Sequence, residues 1–199
     1  MSHIKKIVIT GGPCAGKTTV FNHLKERYSD KVIFIPEAAT KLFNEGYPRE
    51  GAAPSPQWQN TFQTAVMNTQ KELEVEAAKE ADATGKTIMV CDRGTLDGGA
   101  YTIGGRQAFC DINNLDPEEI INNYDTVIHL ESTAVGDPES YGNDSNTHRL
   151  EGIETAAKLD QAIWDAWEGH PQHIKIRCDG GVKIKQHLVD KEIQKALGG

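Results

Sequence analysis

Gly11-Gly12-Pro13-Cys14-Ala15-Gly16-Lys17-Thr18 follows directly on the apolar run Ile7-Val8-Ile9. The spelling is G-x-x-x-x-G-K-[ST], a glycine-rich turn between a strand and a helix. Glycines let successive backbone N–H groups face one side and form a concave nest for anionic oxygens. A helix opening at this point adds the positive end of its dipole. Gly12, Pro13, Cys14, Ala15, Gly16, Lys17, Thr18 and Thr19 are therefore the expected contacts of a polyphosphate. In that arrangement Lys17 reaches the β and γ phosphates and the Thr18 hydroxyl ligates Mg2+.

The flanks agree. Ile4, Ile7, Val8 and Ile9 form a β-branched run suited to a strand buried on both faces. Val20, Phe21, Leu24 and Tyr28 share one face of a helix. Further strands are predicted at Lys31–Ile35, Thr87–Cys91, Thr126–Leu130 and His173–Ile176. Between them lie a short helix over Ala38–Glu45 and a breaker-rich loop over Gly46–Pro54. Ser55 and Pro56 start a long helix running to about Ala83, with Trp58, Phe62, Val66, Thr69 and Leu73 as its buried stripe. Asp116-Pro117-Glu118-Glu119 opens another helix. A helix over Arg149–Glu168 should turn Leu159, Ile163, Trp164 and Trp167 inward, and a last one holds Leu188, Ile193 and Leu197.

Strands alternating with helices imply an α/β fold: a five-stranded parallel sheet between two helical layers, with right-handed crossovers. A chain of 199 residues fits one such domain. Residues 132–147 are polar and rich in Gly, Pro, Asp and Asn, and read as a mobile flap or lid reaching to about residue 149.

Ligands of parallel sheets gather at the carboxyl ends of the strands. The ends here carry the glycine loop, Glu37, Asp92, Glu131 and the turn at Asp179. Asp92 suits an Mg2+-holding acid, and Arg93 beside it suits a phosphoryl or carboxylate group. Glu37 can accept a proton from an attacking hydroxyl, or simply favour a helix N-terminus. Arg149 can meet a transferring phosphoryl group, or pair with Glu151 or Glu154 at the surface. Tyr141 and His148 are lesser candidates within the flap. Between Gly46 and Gln63, the aromatics Trp58 and Phe62, the amides of Gln59 and Gln63, and Arg49 outline an acceptor pocket.

Bulk properties limit the partners. A net charge of −8 without basic runs argues against a broad nucleic-acid surface. A small anionic metabolite held by a few cations fits better. Cys14, Cys91, Cys110 and Cys178 are scattered, which suits reduced thiols in a cytoplasmic setting rather than a disulfide frame or a zinc site. The first apolar stretch is too short for a secretory leader, and no window reaches the length of a membrane span.

The segments Gly11–Thr19, Pro36-Glu37-Ala38-Ala39 and Asp92-Arg93-Gly94, with Asp97 and Ala100-Tyr101, resemble one branch of the phosphate-loop kinases. Arg149-Leu150-Glu151, with Asp160 and Trp164 downstream, is similar to the same pattern beyond its lid. The branch is the AAA-domain family that includes the ribosylnicotinamide kinase domain and related ATP-binding proteins. The resemblance covers about residues 4–181 and implies an ATP-dependent small-molecule kinase, with Glu37 near the acceptor hydroxyl and Asp92-Arg93 as the acid–arginine pair. The lids of such relatives often supply several arginines; here the flap is acidic, Arg149 stands at its end, and Arg106 is a possible substitute.

Two functions are therefore expected. One is transfer of the γ-phosphoryl group of ATP to a hydroxyl of a nucleoside-like or other small metabolite. The other is an ATP- or GTP-binding regulatory switch with slow hydrolysis. No N-K-x-D or T-K-x-D guanine-reading segment occurs, and base selectivity falls to the backbone near Asp179–Val182.

Overall fold

The computed structural model describes residues 3–51, 54–141 and 152–198. Strands β1 (Lys5–Thr10), β2 (Val32–Ile35), β3 (Ile88–Asp92), β4 (Thr126–Leu130) and β5 (His173–Ile176) form one sheet in the order β2-β3-β1-β4-β5. Every pairing is parallel; Ile7 stands opposite Val90 on one side and Thr126 on the other. The helices are α1 (Lys17–Tyr28), α2 (Ala38–Asn44), α3 (Pro56–Thr84), α4 (Gly105–Asn113), α5 (Pro117–Asn122), α6 (Thr133–Gly136), α7 (Ile153–Ala166) and α8 (Gly181–Leu197).

The period-2 alternation of the strands divides the core between the two faces. Ile7, Ile9, Ile88, Val90, Ile128 and Leu130 meet Val20, Phe21 and Leu24 of α1 and Val189 and Ile193 of α8. Val8, Met89, Cys91 and Val127 meet Met67, Ala77 and Ala81 of α3, Phe109 of α4 and Trp167 just beyond α7. The result is the expected three-layer α/β arrangement.

Several local expectations change. In α3 the inner face is more polar than the apolar pattern suggested: Gln63, Gln70 and Glu74 are buried with Phe62 and Met67, whereas Trp58, Val66 and Leu73 are only half-buried. Glu74 accepts hydrogen bonds from Lys6 (3.0 Å), Gln70 (3.0 Å) and Tyr124 (2.7 Å), so the buried carboxylate is fully served. In α7, Ile163 and the following Trp167 lie inside as expected, but Leu159 and Trp164 are half-buried and Ala156 and Asp160 take the inner line.

The glycine-rich stretch after β3 is compact. Thr95–Tyr101 forms a 3-10 helix and α4 follows at Gly105. A Cβ at Gly98 would lie 2.6 Å from Phe109 Cε2, so glycine here permits close packing. The expected mobile flap likewise begins as ordered structure. Ser132 is buried and caps α6, accepting from Ala134 N at 3.1 Å, and a 3-10 turn follows at Pro138–Ser140. The remainder of the flap and Arg149 lie outside the described residues.

Candidate active site

The turn from β1 into α1 carries the sequence-predicted phosphate loop. Gly11 has φ +136°, and a Cβ there would sit 2.1 Å from the Leu130 carbonyl oxygen of the neighbouring strand. Gly16, at φ +82°, is the N-cap of α1 and offers no side-chain cap, and a helix N-terminus of this kind favours an anion. Lys17 Nζ donates to the carbonyls of Gly11 and Gly12, each at 2.8 Å. Thr18 and Thr19 are exposed at the start of the helix. Val182, at the start of α8, packs 3.2 Å from where a Gly16 Cβ would stand, so the Asp179–Val182 turn does border the loop.

Beside the loop, the ends of β2 and β3 bring a second group of residues together. Pro36 follows β2, and Glu37 caps α2 with its backbone while its carboxylate is engaged elsewhere. Its Oε1 accepts from Arg93 Nε at 2.8 Å and its Oε2 from Thr40 Oγ1 at 2.5 Å. Burial pushes the Glu37 carboxyl up, but the Arg93 guanidinium, the Thr40 hydroxyl and the Lys17 charge outweigh it and hold the group below its ordinary value. Asp92, the last residue of β3, moves the other way, to about 6, through burial and the Glu37 charge, against the pull of Lys17 and Arg93.

Arg93 has φ 73°, the left-handed region that a non-glycine residue enters at a cost, and this turn delivers its side chain to Glu37. Its Nη1 also lies 3.9 Å from Asp97, and its guanidinium sits 5.7 Å from the centre of the Tyr101 ring. Burial disfavours the charged guanidinium, yet Tyr101, Glu37 and Asp97 around it keep its pKa raised. Asp97 is itself buried, accepting from Thr10 Oγ1 and, at 2.7 Å, from Gly94 N.

Glu37, Arg93 and Asp97 form the polar end of a cavity of about 360 Å3 between α2, α3 and the Thr95–Tyr101 turn. Aromatic side chains line much of the rest. Trp58 stacks on Phe62 at 4.9 Å and Phe62 on Phe43 at 4.8 Å, and Gln59 and Gln63 also face the cavity. Of the residues expected between Gly46 and Gln63, Trp58, Gln59, Phe62 and Gln63 line this cavity, together with Glu37 and Arg93 from the strand ends. Arg49 is the exception: its guanidinium lies 3.8 Å over the Phe43 ring, extending the stack. Arg106 is also placed elsewhere, donating to the carbonyls of Ala166 (3.3 Å) and Glu168 (2.5 Å) at the end of α7.

Two further residues of the site were given no role by the sequence, although Asp160 stands among those that carry the family resemblance. Asp160 of α7 is buried and accepts at Oδ1 from Gly12 N (2.8 Å), His129 Nε2 (3.1 Å) and Ser132 N (3.1 Å). Lys185 of α8 is buried and donates to the carbonyls of Ala15 (3.0 Å) and Glu131 (2.6 Å). The available signal was one of periodicity: Asp160 sits on the apolar stripe with Ala156 and Ile163, and Lys185 on that of Val189 and Ile193. A charged residue on a helix's inner line needs a polar partner. Glu131, from the strand-end shortlist, fastens the β5–α8 turn by accepting from Cys178 N at 3.0 Å.

Among the described residues, no helix is long and apolar enough to cross a membrane. No group of three or more His, Cys, Asp or Glu side chains there is placed to hold a metal ion on its own. No curated protein matches the chain closely. The family model described as "AAA domain" matches residues 6–183, which span the phosphate loop, the acid–arginine pair and all five strands. With its parallel sheet and strand-to-helix glycine loop, this chain is a phosphate-loop nucleotide-binding protein and belongs to that AAA-domain family.

Proposed function

We propose that the chain is a kinase that moves the γ-phosphoryl group of ATP to a hydroxyl of a nucleoside-like metabolite, working as one domain in a reducing cytoplasm. The observation that carries this reading is the salt-bridged Glu37–Arg93 pair at the polar end of an aromatic- and amide-lined cavity, next to the phosphate loop. A switch needs no such second pocket. Flat aromatic walls and the Gln59 and Gln63 amides suit a planar polar ring, which is how small-molecule sites combine area with orientation.

In the transfer, the bond from the γ-phosphorus to its bridging oxygen breaks and a bond to the acceptor oxygen forms. ADP leaves, and the hydroxyl proton passes to Glu37. Glu37 is ionised at neutral pH because Arg93 and Thr40 hold its carboxyl low, so it can accept a hydrogen bond from the hydroxyl from the outset. A weakly basic carboxylate suffices, since phosphoryl transfer depends chiefly on positioning and charge stabilisation. Lys17 and the first-turn amides of α1 would receive the phosphate oxygens, and Arg93 the transferring group. Arg149 would add a further cation from beyond the described residues.

Thr18 and Asp92 are the residues that would hold Mg2+, together with phosphate oxygens and water. The fit rests on charge: Asp92 is raised to about 6 by burial and by Glu37, with Asp97 adding to it, and a divalent cation would relieve that crowding. Bound there, the metal would neutralise charge on the β and γ phosphates.

The test is ADP release with Mg-ATP across a panel of nucleosides and other hydroxylic metabolites. Acceptor-stimulated turnover should vanish in Lys17→Ala and fall about 100-fold in Glu37→Gln, with ATP affinity retained in the latter. Tight nucleotide binding without acceptor-dependent turnover across the panel would refute the kinase and favour a regulatory switch.

A further inference from the structure

The phosphate loop is tied from outside by side chains of three elements that are distant in sequence. Asp160 of α7 accepts from Gly12 N at 2.8 Å. Ser132 Oγ donates to the Pro13 carbonyl, and Thr133 Oγ1 reaches the Cys14 carbonyl at 3.4 Å. Lys185 of α8 donates to the Ala15 carbonyl at 3.0 Å. Residues 12 to 15 each have one backbone group held in this way.

The consequence follows from planar trans peptides, in which C=O and N–H point in opposite directions. Asp160 takes the N–H of the Gly11–Gly12 peptide, so its carbonyl faces the other way, onto Lys17 Nζ. The Gly12–Pro13 peptide also turns its carbonyl to Lys17, and proline has no N–H to leave stranded behind it. At the next peptide the polarity reverses. Ser132, Thr133 and Lys185 hold the carbonyls of Pro13, Cys14 and Ala15, which turns the N–H groups of Cys14, Ala15 and Gly16 away from these side chains. Two carbonyls gather the ammonium, and the next three amides point to the side where an anion would lie.

We infer that Asp160 is a positioning residue of the nucleotide site, and that Ser132, Thr133 and Lys185 complete a brace that sets the peptide polarity of the loop before any ligand arrives. This rests on the nucleotide-binding reading and adds to it. Without the brace a peptide is free to rotate and present a carbonyl oxygen where a phosphate oxygen belongs, which is repulsive. Asp160 is suited to the task because it is held in turn by His129 Nε2 and by the Ser132 amide, each at 3.1 Å. Ser132 therefore joins the two halves of the brace: its amide binds Asp160 and its hydroxyl binds Pro13.

Calorimetric titration of the full chain with Mg-ATP, and separately with inorganic tripolyphosphate, tests the inference. Asp160→Ala should weaken both ligands about tenfold or more, the size expected for losing a hydrogen bond to a charged group. Asp160→Asn, which keeps an accepting oxygen, should stay within about threefold of the parent. Ser132→Ala removes only a hydroxyl and keeps the test decisive if Asp160→Ala does not fold; it should weaken both ligands about threefold or more. Parent-like affinity in Ser132→Ala and Asp160→Ala, even with lowered melting temperatures, would assign these contacts to fold stability alone and overturn the inference. Equal weakening in Asp160→Asn and Asp160→Ala would overturn it too. Failure of the unaltered chain to bind either ligand at millimolar concentration would instead overturn the nucleotide-binding reading.

Discussion

Replacing Asp92 with asparagine removes a carboxylate that the folded chain holds at a disadvantage. The group ionises at 3.8 when unperturbed and at about 6 in place, because burial and the Glu37 charge oppose its ionisation. Each pKa unit corresponds to about 1.4 kcal/mol, so the full penalty above pH 6 is ~3 kcal/mol. Below pH 3.8 both states are protonated and the penalty disappears; it grows as pH rises, because the folded state then binds more protons than the unfolded one. Working this through gives ~1 kcal/mol at pH 4.5 and ~3 kcal/mol at pH 7.5. Asparagine escapes the titration but still buries a polar amide, so the net gain at pH 7.5 should be about 1–2 kcal/mol. That is a rise in Tm of about 2–8 °C for a protein of this size. Urea denaturation of parent and variant at both pH values measures the difference, in which titrating groups that do not interact with Asp92 cancel. Mg-ATP should then stabilise the parent more than the variant, reversing the order. A variant less stable than the parent at pH 7.5, by a margin that does not change with pH, would refute the reasoning.

Other perturbations follow from particular contacts. Gly11→Ala drives a Cβ to 2.1 Å from the Leu130 carbonyl oxygen at φ +136° and should cost about 3 kcal/mol or more, read by thermal denaturation. Glu74→Ala removes the buried acceptor shared by Lys6, Gln70 and Tyr124 and should cost ~3 kcal/mol in denaturant titration, with Glu74→Gln recovering part of it. His173 is lowered to about 4 by burial and by its neighbours His129, His170 and Lys175. Its contribution is therefore present above pH 6.5 and lost as pH falls towards 4. His173→Phe, which keeps the stacking on Trp164 at 3.7 Å, should abolish about 1 kcal/mol of that acid sensitivity once solvent screening of this half-buried ring is allowed for, seen by comparing denaturation at pH 4.5 and 7.

The phosphate loop, the parallel sheet and the strand-end residues Glu37, Asp92 and Arg93 were legible because each is a local pattern. A β-branched run, a glycine-rich turn and an amphipathic helix follow one another in about twenty-five residues, and backbone geometry leaves them few ways to connect. The run in β1 read as buried on both faces, and the structure divides it so, Ile7 and Ile9 to one core and Val8 to the other. The cavity wall was partly legible, since Trp58 and Phe62 are one helical turn apart. Their partner Phe43 comes from another helix and left no trace in that spacing.

Residues 94–113 were harder, because glycine's low helix propensity hides a 3-10 turn and α4 whose close packing requires it. The polar stripe of α3 was hidden for a related reason. Glu74 looks like a solvent residue until Lys6 and Tyr124 are brought against it.

Chemistry carried by neighbours in the chain could be read from the residues alone: a loop that turns amides to one side, and acids that close apolar strands. Strand order, the pairing of Glu37 with Arg93, and the grip of Asp160 and Lys185 on the loop belong to the folded molecule. Those partners stand 56, 148 and 170 residues apart, and no local spacing specifies which distant carbonyl or amide a buried charge will find. Packing decides that, because a charge taken out of water must be met by whatever polar group the fold sets beside it.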